Sequence, residues 1–283
     1  MSKMMHLEDI LYTQGFGTRR VCAGLIEKGL VQVYVDPKVD QKGEKSDKSA
    51  ILEDKSSIAG VFIVKTAIDN IAKYTTKGFR FRVQGVDWEY HEMAYVLFNK
   101  PAGSECSQKP SMHPSIYTFL PSPLRLRPQK SAIQGVQAVG RLDQDTTGML
   151  LMSDDGQFIH RMSSPKKHVS KVYEVTTKHP LDDKQLQKLL SGVVLDDDPK
   201  PVKAAAAEIV SEFHLKLTLT EGKYHQVKRM LAAVSNRVEG LHRSQIGGLK
   251  LPDDLLPGQW RWLTEADMAL MLGAPTSQNK VES

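Results

Sequence analysis

Apolar positions in the first 35 residues follow a helical spacing twice and then a strand spacing. The apolar positions within 7–11 share one face of a helix, and those within 21–26 share one face of a second helix, which Thr18 can cap. The last three alternate as in a half-buried strand. The pattern therefore predicts two short helices and a strand. The positions concerned are Leu7, Ile10, Leu11, Val21, Cys22, Leu25, Ile26, Val31, Val33 and Val35.

A change of composition follows this strand. Residues 36–60 carry mixed charges and few large apolar side chains, which is typical of a mobile insertion. Alternation resumes in the stretch GFRFRVQG at 78–85, which predicts the next strand. We therefore expect a small N-terminal domain at 1–90 that contains the insertion.

From residue 91 the chain mixes strands and helices. The stretches YVLFNK, KVYEVTT and FHLKLTLT predict strands, and LDDKQLQKLL predicts an amphipathic helix. A further helix is predicted where Val227, Met230, Leu231 and Val234 form one stripe. This α+β pattern predicts a domain at 91–273 with a mixed, largely antiparallel sheet. The last ten residues, PTSQNKVES with the alanine before them, are expected to form a disordered tail at 274–283.

The composition is ordinary for a globular protein, with 40% apolar and 25% charged residues. The net charge of +5 favours a polyanionic partner. Cys22 and Cys106 form no CxxC pair, so they cannot build a zinc knuckle, and so few thiols indicate a reducing compartment. The N-terminal residues predict neither a signal peptide nor a membrane span. We therefore expect a cytoplasmic protein, with a monomer as the default state.

Two arginines begin the second predicted helix. Arg19 and Arg20 follow the capping Thr18, where positive charge opposes the helix dipole. A functional interpretation is that they bind phosphate. They can equally be two solvated surface side chains, and the sequence leaves both interpretations open.

The stretch GRLDQDTTGMLLMSDDG at 140–156 has the spacing of a calcium loop. Asp143, Asp145, Thr147, Gly148 and Asp154 match positions one, three, five, six and twelve of an EF-hand. The preceding residues predict a poor entering helix, and the twelfth position is Asp instead of the usual Glu. Calcium binding is therefore the less favoured interpretation.

The same segment can instead hold a catalytic carboxylate among basic groups. Arg141 and Asp143 would face the same side of a strand, and a basic patch follows between His160 and Lys171. Tyr173 supplies a ring that can stack on an extruded base. Without further information, a loop of surface charges beside a core tyrosine remains an alternative.

Four ordered stretches between 94 and 272 resemble the RsuA-type pseudouridine synthases. They are YVLFNKPAG, GRLDQDTTGMLLMSDDG, HRMSSPKKHVSKVYEV and TEGKYHQVKRMLAAVSNRVEGLHRSQIGGLKL. The last stretch is most similar to the branch that acts on small-subunit ribosomal RNA. The stretch TRRVCAGLIEKGLVQVYV resembles an S4 RNA-binding domain. The resemblance thus implies an S4-like domain in front of a pseudouridine synthase catalytic domain.

The resemblance also implies roles for single residues. Asp143 corresponds to the catalytic aspartate, Tyr173 to the tyrosine that stacks on the target uracil, and Lys228 to the basic partner of the aspartate. Arg141 corresponds to the arginine that holds the flipped nucleotide or a neighbouring phosphate. Whether Lys228 or its neighbour contacts Asp143 stays open, with Lys228 favoured. Further contacts to RNA are expected from Lys100, Lys171 and Arg229.

The implied reaction is the isomerisation of one uridine of ribosomal RNA, with small-subunit RNA or an assembly intermediate as the expected substrate. It needs no cofactor and no metal, and the sequence offers no Rossmann fingerprint, P-loop or zinc cluster to hold one. Asp143 could attack ribose C1′ or take a proton so that a glycal forms. The alternatives are a large-subunit enzyme and a non-catalytic S4-type RNA-binding protein.

Overall fold

The structure is a computed structural model that describes residues 3–35, 61–66, 71–129, 133–196 and 198–273. The insertion predicted near 36–60 and the tail predicted at 274–283 both lie outside these residues. Within the part of the chain that is described, no helix is long and apolar enough to cross a bilayer.

The described residues form two compact units. The first consists of those in Met1–Glu92 together with those in Ser122–Gly135, and the second of those in Met93–Pro121 and Val136–Ser283. Residues 122–135 belong to the first unit, although the predicted boundary near residue 90 would put them in the second domain. Arg127 of this segment is buried and donates to the carbonyl oxygens of His91 and Glu92, at 2.8 and 3.0 Å. Those bonds attach the segment to the first unit, and no periodic pattern of apolar residues in the sequence predicts them.

The first unit has a four-stranded antiparallel sheet packed on two helices. The order of its strands is β3-β2-β5-β6, and β1 pairs with β4. Both predicted helices and the first predicted strand are confirmed. The elements are β1 (Met4–His6), α1 (Leu7–Thr13), α2 (Arg19–Glu27), β2 (Val31–Val35), β3 (Val61–Lys65), β4 (Lys73–Thr75), β5 (Arg80–Val83), β6 (Val86–Glu89) and α3 (Ser122–Leu126).

The core of this unit matches the apolar pattern of the sequence. Leu7, Ile10, Cys22, Val31 and Phe81 are fully buried, and they come from α1, α2, β2 and β5. The sequence analysis did not expect β3, which pairs with β2 along its whole length. Its apolar side chains are largely exposed, as at an edge strand, so they show no alternation that would reveal it.

Arg19 has acidic partners on the preceding helix. Its guanidinium bonds to the carboxylate of Asp9, lies 3.9 Å from Glu8 and packs 4.7 Å from the centre of the Tyr12 ring. The hydrogen bond and the charge of Asp9 raise the pKa of Arg19. The acids of α1 therefore offset the unfavourable charge at the start of α2. Of the two arginines, the exposed Arg20 is the better remaining candidate for phosphate contact.

The second unit is an α+β domain around one mixed sheet, as the sequence predicts. The strand order is β13-β14-β10-β15-β9-β7-β17, and each pairing is antiparallel except that of β15 with β9. The elements are β7 (Tyr95–Lys100), β8 (Gln137–Ala138), β9 (Thr147–Ser153), α4 (Gly156–Ser163), β10 (Lys171–Thr177), α5 (Asp183–Ser191), β11 (Val193–Leu195), β12 (Asp198–Val202), β13 (Ala206–Ser211), β14 (His214–Leu219), α6 (Gln226–Ala233), β15 (Val238–Ile246), β16 (Leu249–Lys250), β17 (Trp260–Trp262) and α7 (Glu265–Leu272), with 3₁₀ turns at Ile116–Phe119 and Pro165–Lys167.

A glycine permits the single parallel pairing in this sheet. Gly148 opens β9 with φ +100° and lies opposite Arg243 of β15. A Cβ atom at this position would collide with the backbone oxygen of Arg243. Because only glycine tolerates both the angle and the approach, it fixes β9 against β15 beside the loop that precedes β9.

Candidate active site

A polar cleft lies in the second unit between the β8–β9 loop, strands β10 and β15, and the start of α6. The loop brings Arg141, Asp143 and Asp145 to the cleft, and a bond from the Thr146 amide to the Asp143 carbonyl closes a turn in it. A strand would have put Arg141 and Asp143 on one side, but both lie in the loop, because β9 begins only at Thr147. Both side chains nevertheless line the cleft.

The buried ammonium of Lys100 is hydrogen-bonded to the backbone of this loop. Lys100 lies at the end of β7, is fully buried and donates to the carbonyl oxygens of Pro101, Gln144 and Thr146, at 3.1, 3.2 and 2.9 Å. Burial lowers the pKa of its ammonium, although nearby acids including Asp145 act in the opposite direction. The expected RNA contact of Lys100 is therefore wrong, because the side chain has no exposed surface. Its bonds position the loop that carries the acids.

Two basic side chains of the α6 segment face Asp143. Its carboxylate lies 3.3 Å from Nε2 of His225 and 3.4 Å from Nζ of Lys228. Lys228 also bonds to both carboxylate oxygens of Asp145, each at 2.8 Å. Asp143 is 28% exposed and Asp145 54%, so Asp143 lies deeper. The arrangement keeps the Asp143 carboxylate at the cleft surface and limits its movement.

The charges of this cluster shift the ionisation of its members. Burial acts to lower the pKa of Lys228, but its hydrogen bond to Asp145 and the charges of Asp143 and Asp145 raise it overall. Burial acts to raise the pKa of Asp145, but its bond to Lys228 lowers it overall. Lys228 is therefore a stable cation between two acids at neutral pH.

Local backbone geometry places His225 and Lys228 on the cleft. His225 precedes α6 in a left-handed conformation, with φ 49°, and its ring stacks on Tyr224 at 3.8 Å. The predicted apolar stripe of α6 is buried, which turns Lys228 toward the acids. Arg229 instead donates to the Tyr224 carbonyl, at 3.2 Å. Of the two candidate partners for Asp143, Lys228 is the one in contact.

The floor of the cleft is formed by β10 and β15. Tyr173 is 8% exposed and pairs across the strands with Arg243, while Lys171 lies two residues before it on the same side of β10. Lys171 donates to the Val169 carbonyl at 2.9 Å. Burial, with a smaller effect of Arg243, lowers the pKa of Lys171 to about 8.

Three cleft residues were not found from the sequence. Asp145 was considered only as a calcium ligand, while His225 and Arg243 were not singled out. His225 lies three residues before Lys228, so one helical turn could have indicated that both face the same acid. Arg243 reaches the cleft through the register of β15 against β10, which no local pattern encodes.

The loop does not have the surroundings of a calcium site. Strands β8 and β9 flank it, whereas an EF-hand needs helices. Asp154, the twelfth position of the supposed loop, accepts a bond from the Ala94 amide at 2.6 Å. Among the described residues, no group of three His, Cys, Asp or Glu side chains could hold a metal ion.

We expect substitutions of Tyr173 to separate its ring from its hydroxyl. Tyr173→Phe keeps the ring in the cleft, whereas Tyr173→Ala removes it, and stacking on a base contributes roughly 1–3 kcal/mol. Since the resemblance implies that this ring stacks on a uracil, alanine should reduce turnover of an RNA substrate far more than phenylalanine, as measured by tritium release from C5-labelled uridine. Equal and complete loss in both variants would show instead that the hydroxyl takes part in the chemistry.

Comparison with known proteins places this cleft in a described family. Residues 94–233 match the RNA pseudouridylate synthase family. The ribosomal small subunit pseudouridine synthase A of Yersinia pestis is 45% identical over 181 residues, which cover 64% of this chain and 73% of that protein. The protein of the same name from Escherichia coli K12 is 42% identical, with 64% and 75% covered. A crystal structure of a pseudouridylate synthase aligns with a TM-score of 0.57 and 30% identity, over 94% of this chain and 99% of the other.

Proposed function

Because the chain belongs to the RNA pseudouridylate synthase family, we propose that it isomerises one uridine of small-subunit ribosomal RNA to pseudouridine. The observation that carries the proposal is the Asp143 carboxylate, held at 3.3 and 3.4 Å by His225 and Lys228 in a cleft that also contains Tyr173. A carboxylate, a stacking ring and surrounding cations are the groups that chemistry on a flipped base needs.

We assign each of these groups a task in the reaction. Asp143 acts on the ribose of the flipped uridine, as nucleophile at C1′ or as the base that gives a glycal, while Lys228 and His225 orient its carboxylate. Tyr173 stacks on the uracil, and the exposed Arg141 binds the nucleotide or an adjacent phosphate. The reaction has no redox change, so no cofactor is part of the proposal.

The choice of substrate rests on the relatives and on the first unit. Two relatives at 42–45% identity are named for the small ribosomal subunit. The helix-helix-sheet unit with Arg20 at the start of α2 supports an S4-like role in RNA binding. Sequence-specific recognition of RNA favours unpaired nucleotides, so the target should lie outside a regular helix. The work would be done in the cytoplasm, by a monomer, on naked or partly assembled RNA.

Mapping of pseudouridines with and without the gene tests this proposal. We expect one small-subunit site to disappear in the deletion strain and to return with the wild-type gene. The purified protein should form the same pseudouridine on unmodified small-subunit transcript. Loss of a large-subunit site instead would keep the chemistry and change the substrate, while an unchanged map of both subunits would contradict the proposed function.

A purely RNA-binding role is the second candidate, and the cleft argues against it. Asp143 and Asp145 place two carboxylates where RNA would bind, and carboxylates repel phosphate. A protein that only binds RNA would not need two acids in its binding cleft, together with Lys228 of α6 to neutralise them.

A further inference from the structure

The proposed roles of Asp143, Tyr173 and Arg141 leave two cations at the floor of the cleft without a task in the reaction. Arg243 is 3% exposed and Lys171 is half-buried, and they flank Tyr173 on the two neighbouring strands β15 and β10. Both line the same cleft as Asp143. Arg141, in contrast, lies on the β8–β9 loop and is exposed.

The bonds of Arg243 leave part of its guanidinium unused. Its Nε donates to the Met149 carbonyl at 2.7 Å, but its Nη2 is buried and has no hydrogen-bond partner among the described residues. Lys171 bonds to a carbonyl, that of Val169. Within the part of the chain that the structure describes, neither cation is paired with a carboxylate. Burying charge without a counter-charge is costly, so this arrangement points to an acceptor that arrives with a ligand.

The proposed reaction provides such an acceptor. When the C1′–N1 bond breaks, its electron pair leaves with the uracil, and the negative charge spreads over N1, O2 and O4. Asp143 balances the change at the ribose, by bonding to C1′ or by accepting a proton. C5 then bonds to C1′, either as the Asp143–C1′ bond breaks or as the glycal regains its C2′ proton from Asp143. The C5 proton leaves and N1 gains a proton, so no oxidant or further reactant is needed.

Building on the proposed function, we propose that Arg243 and Lys171 are catalytic residues that stabilise the uracil anion formed when the glycosidic bond breaks. A base stacked on Tyr173 would direct its carbonyl edge toward these two side chains. Donors fixed before the reaction stabilise developing charge more strongly in a buried cleft than in water. Asp143 thus acts on the ribose, while Arg243 and Lys171 stabilise the negative charge of the leaving base.

Removal of each charge tests the proposal. Lys171→Met and Arg243→Met should each reduce the single-turnover rate on saturating small-subunit transcript by about 10²-fold, the usual effect of losing one such donor. The dissociation constant for the RNA should stay within a factor of about three, because the charge appears only in the transition state. Lys184→Met, which removes an exposed cation of α5, is the matched control and should leave the rate unchanged.

The pH dependence separates Lys171 from a merely structural role. A pKa of about 8 means that Lys171 is charged below this pH and loses its charge above it, so kcat/KM of the wild type should fall through pH 8. The Lys171→Arg variant stays charged, so its kcat/KM should remain constant to higher pH. Both enzymes are measured on the same RNA, so the ionisation of uracil affects the two profiles equally. The other titratable or charged groups on the cleft are Arg141, Asp143, Asp145, Glu221, Lys223, His225, Lys228 and Arg243.

The outcomes distinguish this inference from the function on which it rests. Folded variants that keep the wild-type rate, variants that lose only RNA affinity, or identical high-pH profiles for wild type and Lys171→Arg would each overturn it. If Arg243→Met does not fold, Arg243→Lys and the Lys171 variants still decide the question. A wild type that converts no uridine in any ribosomal RNA would instead reject the proposed function.

Discussion

Asp143→Asn is expected to reduce pseudouridine formation by at least about 10⁴-fold, as loss of a reacting group does in other enzymes. The amide keeps the size of the side chain but can neither attack ribose C1′ nor accept a proton from the ribose. RNA affinity should stay the same or increase, because one negative charge near the phosphates has gone. Tritium release from C5-labelled RNA measures the rate, and filter binding measures the affinity.

Two further acid-to-amide changes serve as controls for this experiment. Asp183→Asn alters an exposed acid of α5 and should have no effect. Asp145→Asn should retain measurable turnover, because Asp145 is the more exposed acid and contacts Lys228 without lying deep in the cleft. Turnover of Asp143→Asn within tenfold of the wild type would reject the assignment of the catalytic acid.

Lys228→Met should lower the rate at saturating RNA by at least about 10²-fold, comparable to the loss of an electrostatic contact in other active sites. The change removes the cation between Asp143 and Asp145 and leaves His225 as the partner of Asp143. The two acids would then repel each other, so the Asp143 carboxylate would lose its fixed position. Single-turnover kinetics on the same transcript measures the effect.

Lys228→Arg and Arg229→Met show whether charge and position both matter. The first keeps a cation beside the acids and should recover most of the rate. The second removes a charge of the same helix whose guanidinium donates to the Tyr224 carbonyl, so it should weaken RNA binding and spare the rate. A Lys228→Met enzyme with unchanged rate would mean that His225 alone orients the acid.

Local patterns predicted the elements that bury one continuous apolar face. Helices α1, α2 and α6 and strand β2 follow directly from their spacing, because burial of one face decides both the pattern and the structure. Strand β3 has exposed apolar residues, and 122–135 is attached through Arg127 to backbone oxygens. Neither arrangement leaves a periodic signal in the sequence.

The site was predicted where residue type and motif coincide, and missed where tertiary register decides. Asp143, Tyr173 and Lys228 were expected to act together, and the structure brings all three to one cleft. Lys100 was expected to contact RNA, but its ammonium donates to three carbonyl groups and is buried, which is rare for a lysine. Arg243 depends on a pairing between strands far apart in sequence.

The position of β15 in the sheet determines how late in translation the catalytic sheet can be completed. β15 lies between β10 and β9, yet the ribosome makes it after both, so β9 and β10 of a nascent chain would each lack their neighbour in the sheet. Unpaired strand edges bind other strands readily, so these two edges would be open to wrong pairing until β15 emerges. The nascent chain would also still lack Arg243, so the proposed contribution of this side chain to the rate would be missing until β15 is made.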